Sequence, residues 1–251
     1  MGQATPPTAL VLVAHGDRGG SEPNRVLLEQ AHRVAGRGTF ATVRAGVLNG
    51  EPSIEAALAG LDGHEIVVFP FFMSDGYFTG RLVPDRLDAV VRREGWRPPL
   101  ILPPLGLHPG LVDILLAMTR REVDGRRITV DCPLILAAHG AASNDMARLA
   151  IEDLQTAVRE RLPPARQVLV GYLEEAPFLA DTFGSVATPA ICVGAFASNG
   201  MHSAEDVPGL IRAAGRHGEI IFAGSLGAEP AVADLIHEAA RAATAGFNRR
   251  R

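Results

Sequence analysis

The chain has 251 residues, 47% of them hydrophobic, and its charged side chains leave a net charge of −4. This length and composition can bury a complete core in one large α/β domain or in two small ones. No strongly basic stretch precedes the arginines at 249–251, which are typical of a solvated chain end, so the charge argues against a nucleic-acid partner.

The N-terminal segment lacks the features of a targeting sequence. No positive charge precedes its first apolar run, at 9–14, and that run is too short for a signal-peptide core. No apolar stretch reaches the length of about 20 residues that a transmembrane helix needs. We therefore expect a soluble, cytoplasmic protein with no membrane partner. Cys132 and Cys192 lie in apolar contexts without CxxC spacing, which predicts isolated core thiols rather than a disulfide or a metal site.

Four motifs occur twice in the chain, in the same order and at nearly constant spacing. The pairs are LVLVAHG at 10–16 and LILAAHG at 134–140, RAGVLNGEP at 44–52 and LVGYLEEAP at 169–177, MSDGYFTGRLVP at 73–84 and ASNGMHSAEDVP at 197–208, and PLGLHPGLVDIL at 104–115 and SLGAEPAVADLI at 225–236. This recurrence predicts a tandem duplication joined near 122–132, with a first lobe at 1–122 and a second at 133–246.

Both repeats have the same predicted order of elements, in which strands and helices alternate. In the first repeat, strands are predicted at about 9–13, 42–48, 65–69 and 99–102, with helices at about 22–35, after Pro52 and Ser53, and after Pro84. In the second, strands are predicted at 134–137, 167–173, 190–193 and 219–222, with helices at about 145–161 and after Pro208. A last helix closes each half. This alternation predicts two α/β lobes, each a parallel sheet with helices on both faces, around a cleft.

Chemistry in an open parallel sheet is expected outside the carboxyl ends of the strands. In the second repeat His139 ends the first strand, Glu174 or Glu175 follows the second, and His202 follows the third. Two imidazoles and a carboxylate suit Co²⁺, Ni²⁺, Fe²⁺ or Zn²⁺, and the lack of cysteine in these loops favours an open, exchangeable site. The second repeat is therefore predicted to hold a labile metal ion.

The first repeat keeps only part of this ligand set. His15 matches His139, but Asn49 stands where the second repeat has Glu174, and Phe78 stands at the position of His202. Asparagine is a poor ligand for these ions, and phenylalanine offers no donor atom. We therefore expect metal binding in the second repeat alone.

The loop at 69–78 carries four phenylalanines and one tyrosine. The first three are predicted to be buried at a strand end: Phe69, Phe71 and Phe72. Tyr77 and Phe78, beyond Gly76, are equally compatible with the core and with an apolar wall for a flat ligand.

Three further polar residues are candidates for binding an acidic ligand. Arg18 has the charge to attract one, although a plain solvated loop explains it equally well. Ser198 and Asn199 have side chains that hydrogen-bond carboxylates, but Ser-Asn-Gly is also an ordinary turn sequence. The other histidines are interpreted as surface or packing residues: His32, His64, His108, His217 and His237.

Taken together, the motifs resemble those of the class II chelatases, the family that contains sirohydrochlorin cobaltochelatase, sirohydrochlorin ferrochelatase and protoporphyrin ferrochelatase. The resemblance rests on LAAHG, YLEEAP, GMHSAEDVP and SLGAEP, and more weakly on LVAHG, VLNGEPSI, DGYFTGRLVP and PLGLHP, and covers almost the whole chain. It implies two flavodoxin-like lobes with a macrocycle held between them. It also implies that His139 and His202 take up a divalent metal and accept pyrrole protons, assisted by Glu174, with His139 as the principal base.

The resemblance further implies a lyase that inserts a divalent metal into a tetrapyrrole in cobalamin or siroheme biosynthesis. We expect Co²⁺ as the substrate metal, ahead of Fe²⁺ and Ni²⁺, with no separate cofactor, and either sirohydrochlorin or a metal-free corrin as the macrocycle. The expected macrocycle contacts are His15, Arg18, Tyr77, Phe78, Ser198 and Asn199. Because the duplication replaces a pair of single halves, we expect a monomer. The alternatives are a ferrochelatase, a non-catalytic tetrapyrrole or metal carrier, and a two-lobed periplasmic-type binding protein, against which the missing signal sequence argues.

Overall fold

The computed structural model describes residues 6–17, 22–126, 128–140, 145–198 and 205–248. They form two compact units. The first unit contains the described residues up to His108 together with those from Pro230 onward, and the second unit is Pro109–Glu229. Within the described part of the chain, no helix combines the length and the apolar character needed to cross a membrane.

The first unit is built on a parallel sheet of four strands in the order β2-β1-β3-β4. The strands are β1 (Thr8–Ala14), β2 (Thr42–Val47), β3 (Glu65–Pro70) and β4 (Leu100–Ile101). Leu10 of β1 pairs with Val43 on one side and Val67 on the other. Because β1 is central, both of its faces are covered and residues 9–13 are fully buried. This burial explains the unbroken apolar run in the sequence.

The second unit repeats the same sheet, in the order β6-β5-β7-β8. Its strands are β5 (Leu134–Ala138), β6 (Val168–Tyr172), β7 (Ala190–Gly194) and β8 (Ile220–Ser225). All the strand pairs in both sheets are parallel. The predicted fold class of two similar α/β lobes is therefore confirmed.

The helices flank the two sheets. They are α1 (Arg25–Ala35), α2 (Ile54–Leu58), α3 (Val83–Glu94), α4 (Leu111–Arg126), α5 (Asp145–Arg161), α6 (Leu179–Ser185), α7 (Val207–Ala213) and α8 (Val232–Asn248). Helix α2 begins as predicted after Ser53, whose side chain accepts a hydrogen bond from the Ala56 N–H at 3.1 Å. Helix α3 was expected to follow Pro84, but a π-helical turn at Phe78–Leu82 leads into it. Pro84 lies in the first turn of α3, where its missing N–H is tolerated.

The last helix of each repeat packs in the unit of the other repeat. Helix α8 contacts α1 and β3 in the first unit, and α4 contacts α5, β7 and β8 in the second. The boundaries drawn from the sequence, 1–122 and 133–246, describe the repeats, whereas the compact units exchange α4 and α8. Each sheet is buried on both faces. The exchange places α8 beside α1 on one face of the first sheet, and α4 beside α5 on one face of the second sheet.

Side-chain contacts fix each exchanged helix in place. Arg121 on α4 binds the Glu229 carboxylate through both terminal nitrogens, at 3.1 and 2.8 Å. In the first unit Arg37 pairs with Asp234 of α8, and the Thr39 hydroxyl lies 2.8 Å from His237 Nε2. These contacts join α4 and α8 to the units in which they pack.

Candidate functional site

The first two strands of the second unit end side by side. The Leu173 N–H donates to the Ala138 carbonyl oxygen, and the Glu174 N–H donates to the His139 carbonyl oxygen, each at 3.0 Å. Gly140 follows His139 with a φ of 75°, a conformation that glycine adopts without strain. The backbone therefore brings His139 and Glu174 together at the carboxyl edge of the sheet.

The side chains of this pair also meet. The His139 Nδ1 atom lies 3.5 Å from Glu174 Oε2 and 3.0 Å from the Gly140 carbonyl oxygen. Because a carbonyl oxygen only accepts, the contact with Gly140 favours a proton on Nδ1 and a lone pair on Nε2. The two side chains are 43% and 57% exposed. A contact this exposed adds little to stability even when the imidazole is protonated, so its value lies in the chemistry of the imidazole.

The third predicted ligand, His202, lies outside the described residues, as do Arg18 and Asn199. Ser198 is described and is half-buried in the loop that follows β7. Over the described ranges, no group of three or more histidine, cysteine, aspartate or glutamate side chains is arranged to hold a metal ion. The structure thus brings two of the predicted metal-handling residues together.

A glycine that the sequence reasoning passed over supports the loop after β7. A Cβ atom at Gly227 would overlap the Ala197 carbonyl oxygen, and the Gly227 N–H donates to the Phe196 carbonyl oxygen at 3.0 Å. Gly106 makes the same approach to Met73 in the first unit. The signal was present in the SLG and PLG motifs, where this glycine occurs in both repeats.

The first unit uses the same backbone with different side chains. The Asn49 N–H donates to the His15 carbonyl oxygen at 2.9 Å, and His15 Nδ1 lies 3.2 Å from the Gly16 carbonyl oxygen. The Asn49 amide nitrogen, however, lies 3.5 Å from His15 Nε2. With a proton on Nδ1, the lone pair of His15 is on Nε2, and the Asn49 amide faces that atom.

Aromatic rings lie on one side of His15, with Phe78 in direct contact with it. The Phe78 ring meets the imidazole edge to face at a centroid distance of 4.7 Å. Phe72 stacks on Phe78 at 6.2 Å, and Tyr77 lies 5.9 Å from Phe78. Tyr77 and Phe78 are 57% and 38% exposed. These four side chains, His15, Phe72, Tyr77 and Phe78, form what we call the aromatic surface.

Burial tests the predictions for the other phenylalanines of the aromatic loop and for the two cysteines. Phe69 and Phe71 are buried and Phe72 is half-buried, which confirms a strand end inside the core. Cys132 and Cys192 are buried free thiols, as predicted. Burial raises the pKa of both thiols.

Tyr172, the last residue of β6, was also missed by the sequence reasoning. It is buried, and within the described part of the chain its hydroxyl has no hydrogen-bond partner. Burial, together with the nearby Glu152 and Glu175 carboxylates, raises the pKa of Tyr172 to about 12. The available signal was the repeat itself, in which the equivalent residue is Val47.

Comparison with known proteins identifies the family. The CbiX family model matches residues 9–122 and 133–243, which are the two repeats. The chain belongs to the CbiX family. It is therefore a member of the class II chelatases with two-repeat architecture, as the motifs predicted.

Similar proteins agree with this assignment. A probable sirohydrochlorin cobaltochelatase of Halobacterium salinarum is 28% identical over 95% of this CbiX-family chain and 91% of its own length. The structure of CbiX described as the terminal enzyme for biosynthesis of siroheme in denitrifying bacteria is 28% identical, with a TM-score of 0.78 over 94% of this chain and 99% of its own. The sirohydrochlorin chelatase SirB of Bacillus subtilis subspecies spizizenii, solved with cobalt, is 15% identical and shares the fold, with a TM-score of 0.72 over 94% of each chain.

Proposed function

We propose that this CbiX-family chain is a chelatase that inserts Co²⁺ into sirohydrochlorin, with His139, Glu174 and His202 as the groups that handle the metal and the protons. The observation that carries the proposal is the contact between His139 and Glu174 at the carboxyl edge of the second sheet. The similarity to the probable sirohydrochlorin cobaltochelatase supports the choice of substrate and metal.

The chemistry required is removal of two pyrrole protons and transfer of the ion from water to the ring. A neutral imidazole accepts a proton or binds a metal, but not both at once. His139 is the principal base and ligand in this proposal, acting through Nε2. The Glu174 carboxylate on the Nδ1 side stabilises the imidazolium and so makes His139 a better proton acceptor. His202 completes the ligand set, and Co²⁺ is a substrate of the reaction.

Binding of the macrocycle is assigned to the aromatic surface and to three polar residues. Exposed rings such as Tyr77 and Phe78 suit the face of a flat conjugated ligand. Arg18, Ser198 and Asn199 are proposed to bind its carboxylates. The monomeric state, the cytoplasmic location, the lack of a separate cofactor and the absence of nucleic-acid or membrane partners stay predictions.

Iron is the second candidate metal. The CbiX structure, which is 28% identical to this chain, is described as a terminal enzyme of siroheme biosynthesis, and siroheme contains iron. Histidine and carboxylate ligands accept Fe²⁺ as well as Co²⁺. The donor set therefore suits both metals.

The test offers sirohydrochlorin and a metal-free corrin in parallel, each with Co²⁺ and with anaerobic Fe²⁺, and follows metallation by absorbance. We expect the fastest turnover with sirohydrochlorin and Co²⁺. His139→Ala should lower the rate by about 100-fold or more, as expected for loss of a general base. His217→Ala, an exposed histidine of the same unit, is the control. Wild-type turnover by His139→Ala would sink the assignment of the base, and metal binding without turnover by the wild type would indicate a carrier.

A further inference from the structure

The candidate site adjoins a buried tyrosine hydroxyl. Tyr172 lies two residues before Glu174, is 2% exposed, and its Oη atom makes no hydrogen bond to any of the described residues. Leaving a buried donor unpaired is costly, and most buried hydroxyls are paired. A phenylalanine would fill the same space without that cost. The hydroxyl therefore needs an explanation other than packing.

The residues near Tyr172 come from the loops after β5 and β6 and from α5. A Cβ atom at Gly140 would lie 2.9 Å from Glu175 Cγ and Oε1 and 3.0 Å from Tyr172 Cβ, so both side chains lie against Gly140. Glu152, on α5, lines the same cavity as Tyr172, and Arg148 lies one turn earlier on that helix. The Arg148 Nε atom is also buried and has no partner among the described residues, while its Nη2 atom donates to Asp145 Oδ1 at 3.0 Å.

The first repeat lacks this arrangement. Its equivalents of Tyr172 and Glu175 are Val47 and Gly50, and its residue at the position of Glu152 is Leu28. A groove beside edge strand β6 differs in the same way from the matching groove beside β2. The groove beside β6 is lined by the polar residues Glu152, Gln155, Asp181 and Thr182. The equivalent positions beside β2 are the apolar residues Leu28, Ala31, Ala56 and Ala57. The phenol and its carboxylate neighbours thus occur in the repeat that holds the candidate ligands.

We propose that Tyr172 is a positioning residue whose hydroxyl donates to the Glu175 carboxylate when a divalent ion occupies the site, and holds that carboxylate over Gly140 beside His139. This inference rests on the proposed function. It gives the two adjacent glutamates different roles. Glu174 contacts the imidazole, and Glu175 supplies a second, fixed negative charge near the ion. A divalent ion draws carboxylates towards itself, and a hydrogen bond from Tyr172 limits how far Glu175 moves.

The first experiment deletes the hydroxyl alone, with Tyr172→Phe. Because the hydroxyl has no partner, the melting temperature should rise or stay within about 2 °C of the wild-type value. We expect the Kd for Co²⁺, measured from the absorption spectrum of the bound ion, to increase about 10-fold, as for other groups that orient metal ligands. The KM for sirohydrochlorin should not change. Ser225→Ala is the matched control, because it removes from the same sheet another buried hydroxyl that has no partner in the described ranges, and it should leave Co²⁺ binding unchanged.

The second experiment asks whether Tyr172 acts through Glu175. Tyr172→Phe and Glu175→Ala should each weaken Co²⁺ binding about 10-fold, and the double variant should be no weaker than the worse single variant. Wild-type Co²⁺ affinity in Tyr172→Phe, or a loss of about 100-fold in the double variant as expected for independent effects, overturns the proposal. These readouts use metal binding alone. If the wild type binds Co²⁺ through His139 without metallating a macrocycle, the proposed function fails while the affinities still decide the role of Tyr172.

Discussion

The Glu174 Oε2 atom lies 3.5 Å from Nδ1 of His139, whereas the Asn49 amide nitrogen lies 3.5 Å from Nε2 of His15. The backbone is the same in both places, because the N–H of Glu174 or Asn49 donates to the carbonyl oxygen of its histidine. The side chains alone create the difference. A carboxylate at Nδ1 supports a base and ligand at Nε2, while an amide donor at Nε2 competes for its lone pair.

This relationship predicts the effect of Glu174→Asn, which gives the second repeat the side chain of the first. Loss of the carboxylate should weaken Co²⁺ binding by about 10-fold or more and reduce turnover, because His139 loses the group that orients it. Titration calorimetry with Co²⁺ measures the affinity. Asn49→Glu is the reciprocal change and should not create a second site, because Phe78 stands at the position of His202. Two equivalents of bound Co²⁺ in Asn49→Glu would contradict the asymmetry.

The aromatic surface predicts a selective effect on macrocycle binding. Phe78→Ala removes the ring that contacts His15, Phe72 and Tyr77. Aromatic contacts of this kind contribute about 0.5–1.5 kcal/mol, so KM for the macrocycle should rise about 2- to 12-fold with a smaller change in kcat. The control is Phe40→Ala, which removes a ring paired with His237 at 5.9 Å in the same unit. Equal effects of the two substitutions would show that Phe78 acts only through folding.

The close approach of Gly227 to Ala197 predicts a destabilising substitution. Gly227→Ala places a methyl group on the Ala197 carbonyl oxygen, so the chain must shift, at a cost of about 1–3 kcal/mol. Gly184→Ala is the control, because no atom of the described residues lies within 4 Å of the added atom and the residue is in α6. That change should stabilise the protein by about 0.5–1 kcal/mol. Urea unfolding measures both, and an unchanged midpoint in Gly227→Ala would show that the turn adapts freely.

The exchange of α4 and α8 predicts which sheet each helix protects. Ile236→Ala on α8 and Leu115→Ala on α4 remove fully buried side chains, each at a cost of about 2–5 kcal/mol. Hydrogen exchange measured by mass spectrometry should accelerate in α1 and β3 for Ile236→Ala, and in β7 and β8 for Leu115→Ala. The opposite pattern would mean that each helix packs on the sheet of its own repeat.

The buried thiols predict slow reaction with a disulfide reagent. Burial raises the pKa of Cys192 and Cys132. Below the ordinary pKa of a cysteine, the reactive thiolate form is therefore scarcer in these residues than in an exposed cysteine. We expect both thiols to react with dithionitrobenzoate only as the protein unfolds. Two fast equivalents in the native protein at pH 8 would contradict their burial.

The sequence alone determined the repeated scaffold and the edge on which the chemistry lies. Central parallel strands are covered on both faces, so β1 and β5 appear in the sequence as continuous apolar runs. Chain direction then fixes where the runs end, so His139 and Glu174 were predicted at one edge and are found there. The position of Gly76 also divided the phenylalanines expected at a strand end from Tyr77 and Phe78, which were equally compatible with the core and with an apolar wall for a ligand.

Only the tertiary structure decided which partners these elements take. The apolar stripes of α4 and α8 require a sheet but do not specify which one, so the exchange of the two helices could not be derived from local pattern. The sequence likewise left Glu174 and Glu175 open, because adjacent residues in a loop differ only in the direction of their side chains. The structure places Glu174 beside His139 and Glu175 against Gly140 and Tyr172, contacts that arise only when separate strands are packed together.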